Sequence, residues 1–275
     1  MYSTLMVYLD PLADNTRLLH ITDDLAERFD ASLLGVSASR LVGVGYDVSG
    51  IPGGVVDRGR SDLDEAMEAV KQAALAILQR PGREVEWRSI VKAGPLEASV
   101  ICETRSADLV ITSANYRGSL TPGTPYLNIG DLVMQSGRPV LVIPPDTAEL
   151  KARNVLVGWN DTRESRRAVT DALPLLRIAE RVLLVRIARE KTIEQARDDI
   201  ASVARWLKRH QVTAECLVVA ESGRNGPQLD TVAKAEGIDL IVAGAYGHSR
   251  FREWAFGGVT RNLLLYGDLC ALVSH

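Results

Sequence analysis

The chain has 275 residues, of which 46% are hydrophobic and 24% charged, and its formal net charge is −3. This composition excludes a disordered or collagen-like chain, and the small negative charge provides no global basic field to attract nucleic acid. No run of 18 apolar residues is present that could span a bilayer. We therefore predict neither a nucleic acid nor a membrane as partner, in a chain long enough for two domains.

The chain opens with "MYSTLMVYLD", in which no basic region precedes the apolar segment and an Asp follows it at once. This pattern indicates a first strand rather than a signal peptide, and a cytoplasmic location is expected.

The three cysteines, Cys102, Cys216 and Cys270, are far apart and stand mostly among apolar residues, which favours buried structural thiols over a disulfide framework. The four histidines show no metal-ligand spacing.

Short runs of Val, Ile and Leu alternate with stretches of helical spacing, a pattern typical of a parallel sheet with crossover helices. The predicted strands of the first half are 5–9, 32–37, 85–91, 108–112 and 140–143. The second half repeats the series in the same order, at 155–159, 182–187, 213–219, 240–243 and 270–273. The sequence therefore predicts two copies of one α/β unit.

The alignment of the two halves locates the domains. From Asp108 onward they align without a gap at an offset of 131, with "ADLVITSANY" on "IDLIVAGAYG". We predict domains at 1–146 and 152–275, joined near "PPDTAELKAR". The first copy carries about 19 extra residues within 41–60, which we interpret as a long flexible loop. Its "GVGYDVSG" does not follow the first strand of its unit, as a dinucleotide fingerprint would require.

Glycines are concentrated in "GAYGHSRFREWAFGGV", residues 244–259, directly after an apolar run. Either the backbone must bend there, or a ligand must approach it closely. The aligned positions of the first half hold Ser113, Tyr116, Tyr126 and Leu127 where the second half has Gly244, Gly247, Gly257 and Gly258. The comparison favours a ligand, while a local difference in loop geometry stays open.

The position of these glycines indicates the kind of ligand. Gly244 directly follows a strand, and ligands of open parallel sheets lie beyond the carboxyl ends of the strands. Gly257 and Gly258 precede a short helix predicted at 259–266, whose first N–H groups lack partners and carry partial positive charge. The hydroxyl of Thr260 could add a further donor. The sequence thus predicts a ligand that carries phosphate.

The segment "LIVAGAYGHSRFREWAFGGVTRNLL" resembles the nucleotide-binding loop of universal stress proteins, in which Gly, two residues, Gly, nine residues and Gly precede a Ser or Thr. Gly244, Gly247 and Gly257 match this spacing, and Gly258 stands where the hydroxyl residue is usual. "VLVGWNDTRESRRAV" is similar to the family's first strand and helix, with Asn160 in place of the usual Asp. Through "MVYLD" and "SGRPVLVIP" the first half looks like a second, divergent copy, so nearly the whole chain resembles a tandem universal stress protein.

The resemblance implies two tandem open five-stranded, mostly parallel α/β sheets with helices on both faces, the adenine nucleotide alpha hydrolase-like fold. It also implies a role in the stress response and binding of ATP, or of ADP or AMP, by the second half. Mg²⁺ could accompany the nucleotide, although no residue pattern indicates it. By position, the implied nucleotide-binding residues are Asn160 near the adenosine, Val185 and Ile187 beside the adenine, and Gly244, Gly247, His248, Gly257, Gly258 and Val259 around the phosphates. Thr260 is added to this set because of its hydroxyl.

Catalytic motifs are missing from the sequence: neither GxxxxGK[ST] nor GxSxG nor HExxH occurs, and no nucleophile has a positioned base. We therefore expect a nucleotide-responsive binding module with slow or no hydrolysis. The alternatives are a nucleotide-independent scaffold in which both sites are degenerate, and an ATP-consuming enzyme.

For the other polar and aromatic residues near the two predicted sites, we expect no contact with ATP. Trp159 and Trp254 are expected to pack rather than to stack on adenine, and the early-helix arginines Arg163, Arg166 and Arg167 are expected to form a solvated face. Asp10 keeps the acidic residue that the second half lacks, but it faces a loop without glycines. The first site is therefore expected to be empty or to hold something other than ATP.

The apolar segments "RPVLVI" and "CALVS" would form sheet edges, which need cover. Such strands pair between units in the family that the chain resembles. The resemblance therefore implies an intramolecular pseudo-dimer of the two domains, to which a homodimer could be added.

Overall fold

The structure is a computed structural model that describes residues 1–40, 53–92, 96–114, 127–222, 225–245, 263–264 and 268–275. Apart from Met1, they fall into two compact units, Tyr2–Ser136 and Gly137–His275, here called the N-terminal unit and the C-terminal unit. Strands and helices alternate along both, which is the predicted α/β pattern.

The N-terminal unit contains four parallel strands in the order β3-β2-β1-β4. They are β1 (Thr4–Leu9), β2 (Ser32–Arg40), β3 (Val85–Lys92) and β4 (Leu109–Ser113). The helices are α1 (Thr16–Phe29), α2 (Gly53–Leu78), α3 (Leu96–Glu103) and α4 (Ile129–Gln135). The central strand β1 is fully buried at Leu5, Met6, Val7 and Leu9, as expected of a parallel strand covered on both faces.

The C-terminal unit contains six strands in the order β5-β10-β9-β6-β7-β8. They are β5 (Val140–Ile143), β6 (Asn154–Gly158), β7 (Arg181–Ala188), β8 (Ala214–Ala220), β9 (Leu240–Gly244) and β10 (Cys270–Ser274). Three described helices accompany them, α5 (Arg163–Ile178), α6 (Ile193–Arg209) and α7 (Asn225–Ala235). All neighbouring pairs are parallel except β5 and β10, which run antiparallel with Leu141 opposite Leu272.

All ten predicted strands are present, and their ends differ from the prediction by at most three residues. Buried parallel strands produce short, dense apolar runs, and this is why they could be located from the sequence. The inserted segment 41–60 differs from the prediction, because α2 already begins at Gly53. A helix gains one hydrogen bond for each residue that it adds. The helix that forms in the downstream run of helix-forming residues can therefore extend towards the N-terminus through Gly54 and Gly53. Residues 41–52 lie outside the described part of the chain.

The two segments that the sequence identified as sheet edges, "RPVLVI" and "CALVS", pair with each other as β5 and β10. By its contacts, β5 belongs with the C-terminal unit, although it closes the first copy of the sequence repeat. The compact units therefore divide at Gly137, whereas the repeat divides within 147–151. The domains 1–146 and 152–275, taken as sequence repeats, stay a prediction.

The two copies share a hydrogen-bond pattern at the amino ends of their strands. In the first, Oδ2 of Asp108 accepts from the backbone N–H groups of Ser3 and Thr4, at 2.7 and 3.1 Å. In the second, Oδ2 of Asp239 accepts from Arg153 and Asn154, at 3.0 and 3.3 Å. Asp108 and Asp239 are the residues paired by the offset of 131. The repeat therefore extends from the sequence to a specific polar contact.

Helices cover both faces of the C-terminal sheet. A Cβ added to Gly158 would lie 3.2 Å from Cδ2 of Leu229 on α7. A Cβ added to Gly244 would instead meet the backbone of α5. Gly158 pairs with Ala243, the neighbour of Gly244, and successive residues of a strand face opposite sides. The helices α5 and α7 therefore lie on opposite faces of the sheet.

Candidate functional site

The carboxyl ends of β6 and β9 flank a point where the chain reverses its direction across the sheet. From β6 the chain proceeds outward to β7 and then β8, and it returns on the other side of β6 through β9 and β10. Ligands of open α/β sheets bind in the crevice at such a switch point. Asn160 lies two residues beyond β6, and Gly244 ends β9. Two of the predicted site residues, distant in sequence, therefore lie at neighbouring strand ends.

Helix α5 begins at this edge and is capped by its own side chains. Thr162 has extended backbone angles and its hydroxyl accepts from the N–H of Ser165 at 3.2 Å, a standard N-cap contact. The hydroxyl of Ser165 in turn accepts from the N–H of Asn160 at 3.3 Å. The side chain of Asn160 is exposed. The local sequence Asn-Asp-Thr-Arg-Glu-Ser thus fixes the backbone of Asn160 and leaves its amide group accessible to a ligand.

Gly244 owes its missing side chain to helix packing. A Cβ at this position would lie 2.5 Å from the carbonyl carbon of Glu164 and 2.5 Å from the nitrogen of Ser165. These are backbone atoms of the first turn of α5, so no side-chain rotation could relieve the clash. The comparison of the two halves, which favoured a ligand as the reason for this glycine, missed that local requirement. A phosphate contact by Gly244 stays a prediction.

Glu164 places a carboxylate in the same turn. Its side chain is buried, with 4% of the residue exposed, and it forms an ion pair with the exposed guanidinium of Arg163. Burial acts to raise the pKa of Glu164, but hydrogen bonds from Arg163, from its own backbone N–H and from Thr162 outweigh it and hold the pKa below its ordinary value. The group is therefore ionised at neutral pH, where it offsets part of the positive potential at the start of α5.

Trp159 lies just before Asn160 and is 7% exposed. Its backbone N–H donates to the carbonyl of Val185 at 2.8 Å, which continues the pairing of β6 with β7 by one residue. The prediction that Trp159 packs agrees with this burial. Its indole N–H, however, finds no hydrogen-bond partner within the described part of the chain. Buried polar groups of folded proteins are nearly always hydrogen-bonded, so this donor needs an explanation.

The two residues predicted to border the adenine differ in exposure. Val185 is 1% exposed and belongs to the core of the sheet, whereas Ile187, two residues later in β7, is half-buried. Of the two side chains, Ile187 is therefore the one with surface available to a ligand. The other predicted site residues, Gly247, His248, Gly257, Gly258, Val259 and Thr260, lie outside the described residues. Of the helix predicted at 259–266, only Leu263 and Leu264 are described, and both are helical.

His275 is a residue of this edge that sequence reasoning missed. Its Nδ1 lies 3.1 Å from the carbonyl oxygen of Ala245, and its Nε2 lies 3.4 Å from Nη2 of Arg163. A carbonyl can only accept, so Nδ1 carries the proton and Nε2 accepts from Arg163. The imidazole therefore joins the residue after β9 to the start of α5. No pattern in the sequence indicated this contact, because the three residues are far apart along the chain.

Residues 151–268 match the model of the universal stress protein family. This segment of the chain is therefore similar to a universal stress protein domain. The resemblance predicted from the glycine spacing is thereby confirmed. A search of the curated proteins finds no match.

Two solved structures share the fold over nearly the whole chain. One, a universal stress protein from Archaeoglobus fulgidus DSM 4304, is 11% identical, with a TM-score of 0.73, and the match covers 98% of this chain and 97% of that chain. A candidate member from Pseudomonas aeruginosa UCBPP-PA14 is 14% identical, with a TM-score of 0.62, and the match covers 99% and 93%. A universal stress protein in complex with cAMP is 17% identical with a TM-score of 0.34, and covers 52% of this chain and 97% of that chain.

The corresponding edge of the N-terminal unit is acidic. Burial is the main cause that raises the pKa of both Asp10, after β1, and Asp131, in the first turn of α4. Tyr8 is 6% exposed, and burial together with the charges of Asp10 and Glu97 raises the pKa of its hydroxyl. These carboxylates disfavour a phosphate at this edge, and that the site does not hold ATP stays a prediction.

The cysteines and the helices answer two further sequence expectations. Of the three thiols, only Cys270 is buried, and burial raises its pKa to about 12. The prediction of buried thiols is wrong for Cys102 and Cys216, which are exposed. Cys216 lies on β8, the last strand in the order of the C-terminal sheet. Among the described helices none is long and apolar enough to cross a membrane. The described residues also contain no group of three His, Cys, Asp or Glu suited to a metal ion.

Proposed function

We propose that the universal stress protein domain binds ATP, or the related ADP or AMP, at the carboxyl edge of β6 and β9 and acts as a nucleotide-responsive module. One observation carries the proposal: Asn160, selected from the sequence as a ligand-binding residue, has an exposed side chain at the switch point of the sheet, just beyond the carboxyl end of β6. This is the place where an open parallel sheet binds its ligand. The module would belong to the stress response, in keeping with its family.

The described edge suits a nucleoside better than a phosphate. The exposed amide of Asn160 offers both a donor and an acceptor, and Ile187 offers apolar surface. The first turn of α5 is closed to phosphate, because Thr162 already caps it and Glu164 adds negative charge. In this proposal the phosphates therefore lie at the glycine-rich segment 246–260 and not at the start of α5.

The second candidate is a nucleotide-independent scaffold, and the packing of Gly244 favours it. A glycine that the fold itself requires says nothing about a ligand. The ionised Glu164 also lowers the affinity of this edge for anions. In that case the chain acts through its surface alone.

Isothermal titration calorimetry with ATP and ADP separates the two candidates. The nucleotide-binding module predicts saturable heat, whereas no heat at millimolar nucleotide would refute it and leave the scaffold. Asn160→Ala is the informative variant, because Asn160 bonds to Ser165 through its backbone and keeps that contact. It should bind several-fold more weakly. Asn154→Ala, at the opposite end of β6, is the matched control and should bind as the wild type does.

The remaining properties of the module follow the same proposal. We place it in the cytoplasm, with slow or no hydrolysis of the bound nucleotide, in a chain whose two repeats form a pseudo-dimer and which could pair into a homodimer. Release of inorganic phosphate during incubation with ATP would measure hydrolysis. Light scattering coupled to size-exclusion chromatography would measure the mass in solution, with and without ATP.

A further inference from the structure

The indole N–H of Trp159 is a buried donor without a partner in the described part of the chain. Leaving such a group unsatisfied is costly, and native structures retain it mainly where it has a role. An indole nitrogen can only donate. The missing partner is therefore an acceptor atom.

The position of Trp159 identifies the side of the sheet on which that acceptor must lie. Gly158 faces α7, because its added Cβ would approach Leu229. Trp159 is the next residue of an extended segment and so faces the opposite side, where the start of α5 packs on Gly244. The ring thus lies beside the switch point between β6 and β9, with Asn160 directly after it.

We propose that Trp159 is a ligand-contacting residue whose indole N–H donates a hydrogen bond to the nucleoside part of the bound nucleotide. The inference rests on the proposed function and adds a specific donor to it. The nucleoside is preferred over the phosphates because Trp159 directly precedes Asn160, whose exposed amide suits a nucleoside. The start of α5, on the side that the ring faces, is already capped by Thr162 and carries the ionised Glu164, which disfavours a phosphate there. Adenine ring nitrogens and ribose oxygens are the acceptors that it would meet.

The experiment follows the indole resonances of the full chain, labelled with ¹⁵N, during titration with adenosine, AMP and ATP. The chain has four tryptophans, and Trp159→Phe assigns the resonance of interest. Should that variant fail to fold, Phe substitutions at Trp87, Trp206 and Trp254 assign it by elimination. The expected result is a downfield shift of the Trp159 indole proton with all three ligands.

Affinity supplies the second readout. Trp159→Phe should weaken adenosine, AMP and ATP alike, by about three- to tenfold, the loss typical of one hydrogen bond. Trp206→Phe removes an indole in the last turns of α6, beside His210, and should leave the affinities unchanged. An unmoved Trp159 resonance in a protein that binds nucleotide, or unchanged affinity of Trp159→Phe, would overturn the inference while the proposed function stands.

Two other outcomes are also decisive. A loss of affinity confined to AMP and ATP would overturn the assignment to the nucleoside. Absence of any binding by the wild-type chain would overturn the proposed function, and the inference with it.

Discussion

Gly244 has no room for a side chain, because the first turn of α5 occupies the space. We predict that Gly244→Ala lowers the free energy of unfolding by about 1–3 kcal/mol, the usual cost of overpacking against atoms that cannot rotate away. Urea denaturation measures the change. Gly158→Ala is the matched control, since its nearest neighbour is the mobile end of Leu229 at 3.2 Å, and it should cost less. Equal stability of Gly244→Ala and wild type would contradict the packing explanation.

Asp131 should make stability depend on pH. Burial, and then the charge of Glu97, raise its pKa above the ordinary value of 3.8, so ionisation costs more in the folded state than in the unfolded chain. This cost is absent below pH 3.8, grows as the pH rises through the raised pKa, and is complete above it. Asp131→Asn should therefore stabilise the chain at pH 7, with a gain that vanishes towards pH 3.

Denaturation midpoints at both pH values test this prediction. Asp64→Asn, at an exposed position of α2, is the control and should change the midpoint little at either pH. A gain for Asp131→Asn that is the same at both pH values would show that loss of the negative charge is not its cause.

The sequence could predict that residue 244 is special but not why. The glycine spacing identified the position, whereas the reason is a contact with Glu164 and Ser165, 80 residues earlier in the chain. Such a contact depends on where α5 starts and how it packs on β9, which no local pattern encodes. The contact of His275 with Ala245 and Arg163 was out of reach for the same reason.

Whole elements were more predictable than single contacts. The ten strands could be located because each forms an apolar run between helical stretches. The start of α2 could not, because residues 53–60 contain three glycines and resemble a loop locally. Helix elongation from the stronger helical sequence downstream decides their structure instead.

The packing of α1 against the segment that follows α2 depends on one buried carboxylate. Asp23 on α1 is 5% exposed and pairs with Arg80 and with Arg83, the latter at 2.5 Å. Asp23→Ala should lower the free energy of unfolding by about 3–5 kcal/mol, because it leaves the largely buried Arg83 without its counter-charge. Thermal or urea denaturation measures the loss.

An exposed pair provides the comparison. Glu194 and Arg197 lie in the first turns of α6 with most of their side chains in water. Glu194→Ala should therefore change the stability by no more than about 0.5 kcal/mol. A similar small effect for Asp23→Ala would mean that Arg80 and Arg83 find solvent or other partners when Asp23 is removed.

On the scale of the whole molecule, the sequence repeat predicts that corresponding contacts of the two copies contribute similarly to the free energy of unfolding. Asp108 and Asp239 each accept two backbone hydrogen bonds at the amino end of the first strand of their copy. Asp108→Ala and Asp239→Ala should each lower the free energy of unfolding by about 1–3 kcal/mol. The Asn variants keep an acceptor oxygen and should lose less. A large loss in one copy and none in the other would show that the repeat does not extend to stability.

The offset of 131 was enough to predict two copies of one unit, but not which unit holds β5. An apolar run in the sequence locates a strand. The strand with which it pairs depends on tertiary contacts between segments that are far apart in the sequence. β5 pairs with β10, and the sequence predicted only that both edges need cover.

This pairing has a consequence for synthesis of the chain. Cys270, which opens β10, leaves the ribosome about 127 residues after Ile143, which closes β5. At roughly 5–20 residues per second, the edge of β5 that receives β10 waits on the order of ten seconds for its partner. During that interval a nascent chain presents an apolar strand edge to its neighbours on the same messenger RNA. Chains that terminate before Cys270 would keep that edge open permanently and should be prone to aggregation.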